Sequence, residues 1–278
     1  MARCTVAAAE EILDQQFPVL DKGFVRLVDY MGSDDRIVQA ARVSYGKGTK
    51  TARQDAGLID YLLRNGHTSP FEQVVFTFHA KMPVFVARQW IRHRTARLNE
   101  VSARYSVMAD EFYVPELADV SVQSTDNKQG RRDEPMSPEE AQIIRDSIEA
   151  VNQKAYADYG KMLEAGTARE LARVVLPVSM YTEWYWQIDL HNLFHFLRLR
   201  LDAHAQREIR AYAEVMRDLA RRVCPAAFAS FDRHLAGGVR FSSEEMEALR
   251  SMLDGEDHGL EGRDAQRFEA KITQGRQL

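Results

Sequence analysis

Residues 88–106 read RQWIRHRTARLNEVSARYS and concentrate positive charge in one short stretch of the chain. Five arginines stand there against a single acid, Glu100, although the whole chain has a formal net charge of −4. A guanidinium group can donate two parallel hydrogen bonds to a phosphate, so closely spaced arginines are typical of a phosphate or pyrophosphate site. The five are Arg88, Arg92, Arg94, Arg97 and Arg104.

The same charges are also compatible with the solvated end of a helix. Residues 83–94 predict a helix with proline in its first turn, and cations at a helix C-terminus interact favourably with the helix dipole. This alternative accounts for Arg92 and Arg94 but not for Arg104, which follows the helix. Glu100 and the serine two residues after it favour a nucleotide pocket, because a carboxylate and a hydroxyl beside phosphate-binding arginines suit a ribose phosphate.

The flanking sequence predicts an α+β fold, a single helix-rich domain with a small β-sheet. Residues 24–32 and 72–81 alternate between apolar and polar side chains as strands do, and residues 179–189 are rich in β-favouring aromatic residues. The chain contains neither G-x-G-x-x-G nor G-x-x-x-x-G-K-[ST], the two glycine motifs that commonly cradle phosphates. Arginine side chains would therefore have to neutralise much of the charge of a bound phosphate.

The rest of the sequence predicts a loop and several helices. Residues 119–136 are polar and predict a mobile loop. Capping boxes begin at Ser137 and at Thr167 and predict helix starts there, and residues 189–204 (DLHNLFHFLRLRLDAH) predict a further helix. After Ser137, apolar residues at spacings of three and four predict a long amphipathic helix. They are Ile144, Ile148, Val151, Ala155, Tyr159 and Met162.

Composition limits the class of protein. We expect an N-terminal leader (1–20), one main domain (21–233) and a charged, irregular, peripheral C-terminal tail (234–278). A sequence pI near 6.1 argues against a general nucleic-acid binder, and no apolar run approaches the ~20 residues of a membrane span. Cys4 and Cys224 form no C-x-x-C pair, so we expect a reduced, cytoplasmic setting in which neither thiol reacts.

Three histidines in the segment 189–204 raise the alternative of a metal site. His191 and His195 are four residues apart and would share a helix face, and His204 follows. However, HNLFH lacks the glutamate of H-E-x-x-H, and no cysteine or second acid completes a tetrahedral set, so we predict no metal. Arg200 and His204 are also i, i+4 neighbours, and an arginine on the inner face of an apolar helix indicates a binding site.

The segment RHRTARLNEVSARY resembles the signature of the flavin-dependent thymidylate synthases, in which R-H-R is followed by seven residues and a serine. Here these residues are Arg92, His93, Arg94 and Ser102. Other segments resemble the family in the same order and extend the resemblance from about residue 21 to residue 233. They are DKGFVRLVDYMG, ARVSYG, NGHTSPFEQVVFTFHAKMPVFVARQWIRHR, ARELARVVLP and LRLRLDAHAQREI.

The resemblance implies an enzyme that methylates dUMP to dTMP, with methylenetetrahydrofolate as carbon donor and FAD, reduced by NADPH, as hydride source. It implies a homotetramer with active sites at subunit interfaces, without an enzyme cysteine nucleophile and without nucleic-acid or membrane partners. Whether the methylene group passes directly or by way of the flavin stays open. Two other hypotheses also stay open: a nucleotide-binding sensor without turnover, and a metal hydrolase built on His191, His195 and His204.

The resemblance also implies the site residues. Arg200 is expected to be the catalytic residue, lying against the uracil, where its charge favours the ionised ring. At Asp189, His191 and His195 the chain departs from relatives that carry Asn, Arg and Asn, and Ala103 replaces a frequent glycine. The expected dUMP site consists of Gln89, Trp90, Ile91, Arg92, Glu100, Val101, Ser102, Ala103, Arg104, Arg173 and Arg200. The expected FAD site consists of Ser44, His67, Ser69, Arg92, His93, Arg94, Asn99, Glu100, Asp189, Leu190, His191, His195 and His204.

Overall fold

A five-stranded antiparallel sheet forms the centre of the first of two units into which the chain divides, Met1–Thr49 with Thr68–Cys224. The computed structural model describes residues 4–43, 52–125 and 130–274. In order across the sheet, the strands are β1 (Phe17–Val19), β2 (Gly23–Met31), β3 (Val75–Pro83), β7 (Tyr181–Asp189) and β4 (Arg97–Glu100). A second, two-stranded sheet pairs β5 (Ser121–Gln123) with β6 (Arg131–Pro135).

Helices make up most of the remaining described structure. Those of the first unit are α1 (Ala7–Glu10), α2 (Asp34–Arg42), α4 (Val84–Trp90), α5 (Pro138–Glu164), α6 (Arg169–Ala172), α7 (Leu190–Arg200) and α8 (Arg207–Val223). Those of the second unit, Lys50–His67 with Pro225–Leu278, are α3 (Ala52–Arg64), α9 (Pro225–Phe231), α10 (Ser243–Leu253) and α11 (Gly262–Gln274).

One face of the large sheet carries the hydrophobic core, because side chains alternate between faces along each strand. On β3, Phe76 and Phe78 are fully buried, and on β7 Trp184 and Trp186 are nearly so. Trp90, the last residue of α4, contacts both indole rings edge-on at 5.3 Å between centroids. Aromatic side chains bury large apolar areas, so this cluster fixes where α4 ends and where the arginine-rich segment leaves the core.

The predicted α+β fold is confirmed, with two differences in the strands. The strand predicted at 72–81 begins at Val75, because Phe71–Gln73 form a 3₁₀ turn. The loop predicted after α4 contains β4, which pairs with the edge of β7 so that Arg97 lies opposite Gln187. All four β4 residues are exposed, so no alternation of burial marks this strand, and backbone pairing with β7 creates it.

Four predictions of local structure are wrong. The helix predicted over residues 83–94 ends at Trp90, so Arg92 and Arg94 follow the helix instead of lying on its last turn. The polar segment 119–136 contains β5 and β6 rather than a loop alone. No capping box forms at Thr167, because α6 begins after Ala168, which makes no side-chain cap. The helix predicted to reach His204 ends at Arg200, since the Asp202 carboxylate accepts a hydrogen bond from the His204 backbone at 2.8 Å and stabilises a turn there instead.

Both ends of the chain are more regular than predicted. In the segment expected as a leader, α1 and β1 each contribute a buried residue, Ala9 and Val19. The segment expected to be irregular after residue 233 contains α10, whose capping box joins Ser242 and Glu245, and α11. A side-chain contact within the second unit joins residues that are distant in sequence, because the Asp60 carboxylate lies 2.9 Å from Nε2 of His234.

The long helix α5 is confirmed, including the reciprocal capping box at Ser137. Its apolar face is only partly covered within one chain: Tyr159 is 1% exposed, but Val151 is 60% exposed. Part of this face is therefore apolar surface that no described element of the first unit covers. Among the helices in the described ranges, none combines the length and hydropathy of a transmembrane span.

Candidate functional site

A cavity of about 310 Å³ lies where the segment after α4 runs beside α7. Arg92 and Arg94 reach it from that segment, and Arg200 reaches it from the end of α7. Among the described residues that line it there is no carboxylate to neutralise the charge of the three guanidinium groups, so the cavity suits an anion. Its lining consists of Arg92, His93, Arg94, Thr95, Ile188, Asn192, His195, Leu199 and Arg200.

Arg200 is held in the wall of this cavity by two hydrogen bonds. Its Nε donates to Nε2 of His93 at 3.0 Å, and its Nη2 donates to the backbone oxygen of Gln89 at 3.2 Å. The His93 ring is itself packed edge-on against Phe196, at 4.9 Å between centroids. A guanidinium group has five N–H donors, so these two contacts leave donors that a ligand could engage.

The histidines of the cavity are neutral at neutral pH. Burial, with the charges of Arg200 and His195, lowers the pKa of His93 to about 4. Burial also lowers the pKa of His195, and the charges of Arg198, His191 and Arg200 act in the same direction. Burial lowers the pKa of Arg200 as well, but a guanidinium group keeps its charge at neutral pH. The positive charge of the cavity therefore comes from arginine alone.

A second group of predicted site residues lies around Arg104. The Arg104 Nη2 is 3.2 Å from the Glu170 carboxylate, and its backbone N–H donates to the Ser102 hydroxyl at 3.3 Å. Arg173 Nε donates to the backbone oxygen of Glu170 at 3.4 Å. Ala103 is buried, which holds this segment against a small core that includes Tyr159 and Ala172. Both Arg104 and Glu170 are exposed, so this group is a surface ion pair.

The strand β4 separates the two groups. The cavity includes Ile188, next to the Arg97 end of β4, whereas the Arg104 group follows the Glu100 end. Three residue steps of about 3.3 Å place the two ends roughly 10 Å apart. Between them, the Glu100 carboxylate accepts a hydrogen bond from the Thr182 hydroxyl at 2.5 Å. Within the described part of the chain, the arginines predicted to bind the ligands thus fall into two groups rather than into one continuous pocket.

Four other residues predicted to contact dUMP or FAD, Gln89, Trp90, Ile91 and Leu190, are not in the lining of the cavity. The side chains of Trp90 and Leu190 are fully buried, so these residues can reach a ligand only through their backbone. Ile91 is half exposed. The Gln89 side-chain amide donates to the Gln206 side chain, at the start of α8.

The remaining predictions on α7 fall at its two ends. Asp189 is the N-cap, and its carboxylate accepts a hydrogen bond from the backbone N–H of Asn192 at 2.9 Å. His191 is half-buried in the first turn. His204 lies beyond the helix and is exposed, with its Nδ1 2.9 Å from the Asp202 carboxylate. His204 therefore does not share a helix face with Arg200, although their spacing of four residues predicted that it would.

Three predicted flavin contacts, Ser44, His67 and Ser69, come earlier in the sequence than both arginine groups. Ser69 is exposed and precedes the 3₁₀ turn at Phe71–Gln73. His67 belongs to the second unit, where its ring stacks on Tyr61 at 6.1 Å between centroids. Ser44 lies outside the described residues.

Sequence reasoning missed several residues of the two groups. Asn192 and Leu199 line the cavity together with His195, and their spacing of three and four residues is the pattern of one helix face, so this signal was present in the sequence. Gln206 and Glu170 had no local signal, because the residues that they contact are distant along the chain. Within the described ranges, no group of three or more His, Cys, Asp or Glu side chains is arranged to hold a metal ion.

Comparison with known proteins gives consistent matches along the chain. Residues 26–226 match the family described as thymidylate synthase complementing protein, and residues 239–278 match the thymidylate synthase ThyX C-terminal domain. The flavin-dependent thymidylate synthase of Treponema denticola is 63% identical over 266 residues, which is 96% of this chain and 100% of the relative. That of Treponema pallidum is 61% identical over 277 residues, which is 100% of this chain and 91% of the relative. The crystal structure of a UMP/dUMP methylase PolB from Streptomyces cacaoi bound with 5-Br dUMP has a TM-score of 0.72 and 34% identity, covering 79% of this chain and 99% of that one.

Proposed function

The chain belongs to the thymidylate synthase complementing protein family, and on this premise we propose that it is a flavin-dependent thymidylate synthase. It methylates dUMP to dTMP, taking the carbon from methylenetetrahydrofolate and the hydride from FAD that NADPH has reduced. The observation that carries the proposal is the cavity lined by Arg92, Arg94 and Arg200 without a carboxylate. Such a site suits the phosphate-bearing and anionic ligands that this reaction brings together.

The residues of the cavity fit a flavin dinucleotide by charge and by exposure. Arg92 and Arg94 are exposed, and no acid in the lining competes with a pyrophosphate for them. Once bound, FAD would supply the hydride that converts the transferred methylene group into a methyl group. Together with Arg92, His93 and Arg94, the proposed flavin contacts are Ser44, His67, Ser69, Asn99, Glu100, Asp189, Leu190, His191, His195 and His204.

Arg200 is the proposed catalytic residue. Its guanidinium group would lie against the uracil, where a fixed positive charge stabilises negative charge on the ring and so raises the nucleophilicity of the carbon that receives the methylene group. The other proposed dUMP contacts are Gln89, Trp90, Ile91, Arg92, Glu100, Val101, Ser102, Ala103, Arg104 and Arg173.

The environments of the cysteines support a mechanism without an enzyme thiolate. Cys224 is fully buried, and burial raises its pKa well above that of an ordinary thiol. Cys4 is half-buried, with its Sγ 3.4 Å from the Ser33 hydroxyl. A thiol must ionise to attack a ring carbon, and the burial of Cys224 opposes that ionisation. The charge of Arg200 would activate the uracil instead.

A homotetramer with active sites at subunit interfaces follows from the same proposal. Two observations support it: the predicted dUMP contacts divide into groups roughly 10 Å apart along β4, and large apolar side chains are exposed on the chain. Groups from different subunits would complete each nucleotide site. The exposed apolar residues include Val151, Leu171, Val174 and Val178.

Three further expectations belong to this proposal. A cytoplasmic location follows from cysteines that form no disulfide in the structure. We propose no membrane or nucleic-acid partner. The division into a leader (1–20), a catalytic domain (21–233) and a peripheral tail (234–278) stays a prediction.

Reconstitution of the purified protein with FAD tests the function directly. We expect flavin absorbance to stay with the protein, to bleach when NADPH is added under anaerobic conditions, and dTMP to form from dUMP and methylenetetrahydrofolate. A protein that retains no flavin and forms no dTMP would contradict the proposal. Stabilisation by dUMP without NADPH oxidation would instead favour the nucleotide-binding sensor.

A further inference from the structure

We propose that His93 is a positioning residue for Arg200: as an uncharged hydrogen-bond acceptor, it orients the guanidinium group toward the nucleotide base without neutralising its charge. The proposal rests on the function argued above, because it assigns Arg200 to the uracil. It adds a role for His93 that is separate from contact with the flavin.

The two hydrogen bonds of Arg200 determine which of its donors face the cavity. Nε donates to His93 and Nη2 donates to the Gln89 backbone oxygen, so one side of the planar group is occupied. The Nη1 donors and the second Nη2 donor form the end of the fork and are not used by these contacts. Because the group is planar and rigid, fixing one side fixes the direction of this end.

The acceptor has to be uncharged for the arrangement to serve catalysis. A carboxylate at the same position would hold Arg200 equally well, but it would cancel the positive charge that acts on the uracil. The Arg104–Glu170 pair shows the neutralised alternative in the same chain. Burial and the neighbouring charges lower the pKa of His93 to about 4, so its Nε2 keeps a lone pair for Arg200 at neutral pH.

The His93 ring is fixed by its own surroundings. It packs against Phe196 at 4.9 Å and against His195 at 5.7 Å between centroids. The His93 backbone N–H donates to the backbone oxygen of Trp90 at 3.0 Å, and Trp90 is fully buried. The acceptor is therefore supported by the aromatic core rather than by a flexible loop.

A double-mutant cycle with Arg200 tests the proposal in the FAD-loaded enzyme. His93→Leu removes the acceptor at similar volume, whereas His93→Gln keeps an uncharged acceptor oxygen that can reach the position of Nε2. We expect His93→Leu to lower kcat/KM for dUMP by about 10-fold to 100-fold, the range that follows from misplacing a catalytic group, and His93→Gln to restore much of it. In an Arg200→Ala background, His93→Leu should cause almost no further loss, because the residue acts through Arg200.

Two measurements separate positioning from other roles. The dUMP dissociation constant, measured by calorimetry, should rise in His93→Leu relative to the wild type but not in the double variant relative to Arg200→Ala. Rates are compared at saturating FAD, because His93 is also a proposed flavin contact and a change in flavin affinity must not enter the comparison. Equal losses from His93→Leu with and without Arg200 would overturn the proposal. A wild type that forms no dTMP would contradict the proposed function instead, and the dUMP-binding cycle would still report on the coupling.

Discussion

The two arginine groups at opposite ends of β4 use the same side chain in different ways. Arg200 is half-buried, and its contacts are an uncharged imidazole and a backbone oxygen. Arg104 is 55% exposed and pairs with the Glu170 carboxylate. A charge held by neutral acceptors keeps its full effect on a ligand, whereas a charge paired with a carboxylate must exchange that partner before it can bind an anion.

The difference indicates two kinds of task. A preorganised, uncompensated charge can stabilise negative charge that develops during a reaction, because nothing has to rearrange. An exposed ion pair contributes about 0–1 kcal/mol to stability and can open at little cost, which suits a residue that only binds and releases a phosphate. We therefore expect Arg200 to affect turnover and Arg104 to affect binding.

Arg200→Ala should have the largest effect on activity. It tests whether the half-buried Arg200 serves turnover. Loss of one preorganised donor to developing charge typically lowers kcat on the order of 100-fold to 1000-fold, and we expect a loss in this range with flavin content unchanged. Steady-state dTMP formation and the absorbance spectrum measure the two quantities. Arg198→Ala is the matched control, since Arg198 is two residues earlier on α7 and does not line the cavity. Full activity in Arg200→Ala would exclude contact between Arg200 and the reacting ring.

Arg92→Ala should have the next largest effect and tests whether the cavity serves both ligands. We expect loss of flavin on gel filtration together with a KM for dUMP that rises by about 10-fold, because a charge-assisted hydrogen bond contributes about 1.5–3 kcal/mol. Arg88→Ala is the control, from the exposed side of α4. A variant that retains FAD and loses only dUMP affinity would assign Arg92 to the nucleotide alone.

Arg104→Ala and Glu170→Gln should have smaller effects on activity. They test whether the exposed Arg104 group serves binding alone. Arg104→Ala is expected to raise KM for dUMP up to about 10-fold with kcat nearly unchanged. Glu170→Gln frees Arg104 from its ion pair, so KM should stay equal or fall slightly. Thermal unfolding should show a change below about 1 kcal/mol for both variants, as for other exposed pairs. A fall in kcat as large as that of Arg200→Ala would remove the distinction between the two groups.

The final expected effect is a pH dependence of stability that comes from His93 and is measured on folding rather than on catalysis. Its folded-state pKa of about 4 lies below the ordinary value of 6.5, so the unfolded chain binds the proton more readily between these values. The contribution of His93 is therefore fully present above pH 6.5 and is lost as pH falls toward 4. The wild type should lose more stability than His93→Gln over this window in urea unfolding experiments. Parallel curves for the two proteins would show that His93 does not titrate in this way.

Local signals predicted the elements that bring the cavity together. The alternation in β2 and β3, the proline before α4 and the helix pattern that begins at residue 189 all depend on neighbours in sequence, so they are readable without the fold. The predictions that the structure contradicts also concern particular residues. Glu170 was assigned to a capping box with Thr167, but in the structure its carboxylate pairs with Arg104. The partner of Glu170 is thus Arg104, which is distant in sequence, rather than its neighbour Thr167.

The sequence by itself determined that this protein carries an arginine-rich family signature, an α+β set of elements and too few cysteines for a disulfide framework. Those properties depend on residue types and short spacings. Only the tertiary structure decided which arginine charges are compensated by a carboxylate and which are not. Arg200 meets His93 across 107 positions of sequence, and the neutral state of that histidine depends on burial beside α7. Electrostatic compensation is a matter of distance in space, so the sequence supplied the charges and the fold determined which of them a ligand encounters.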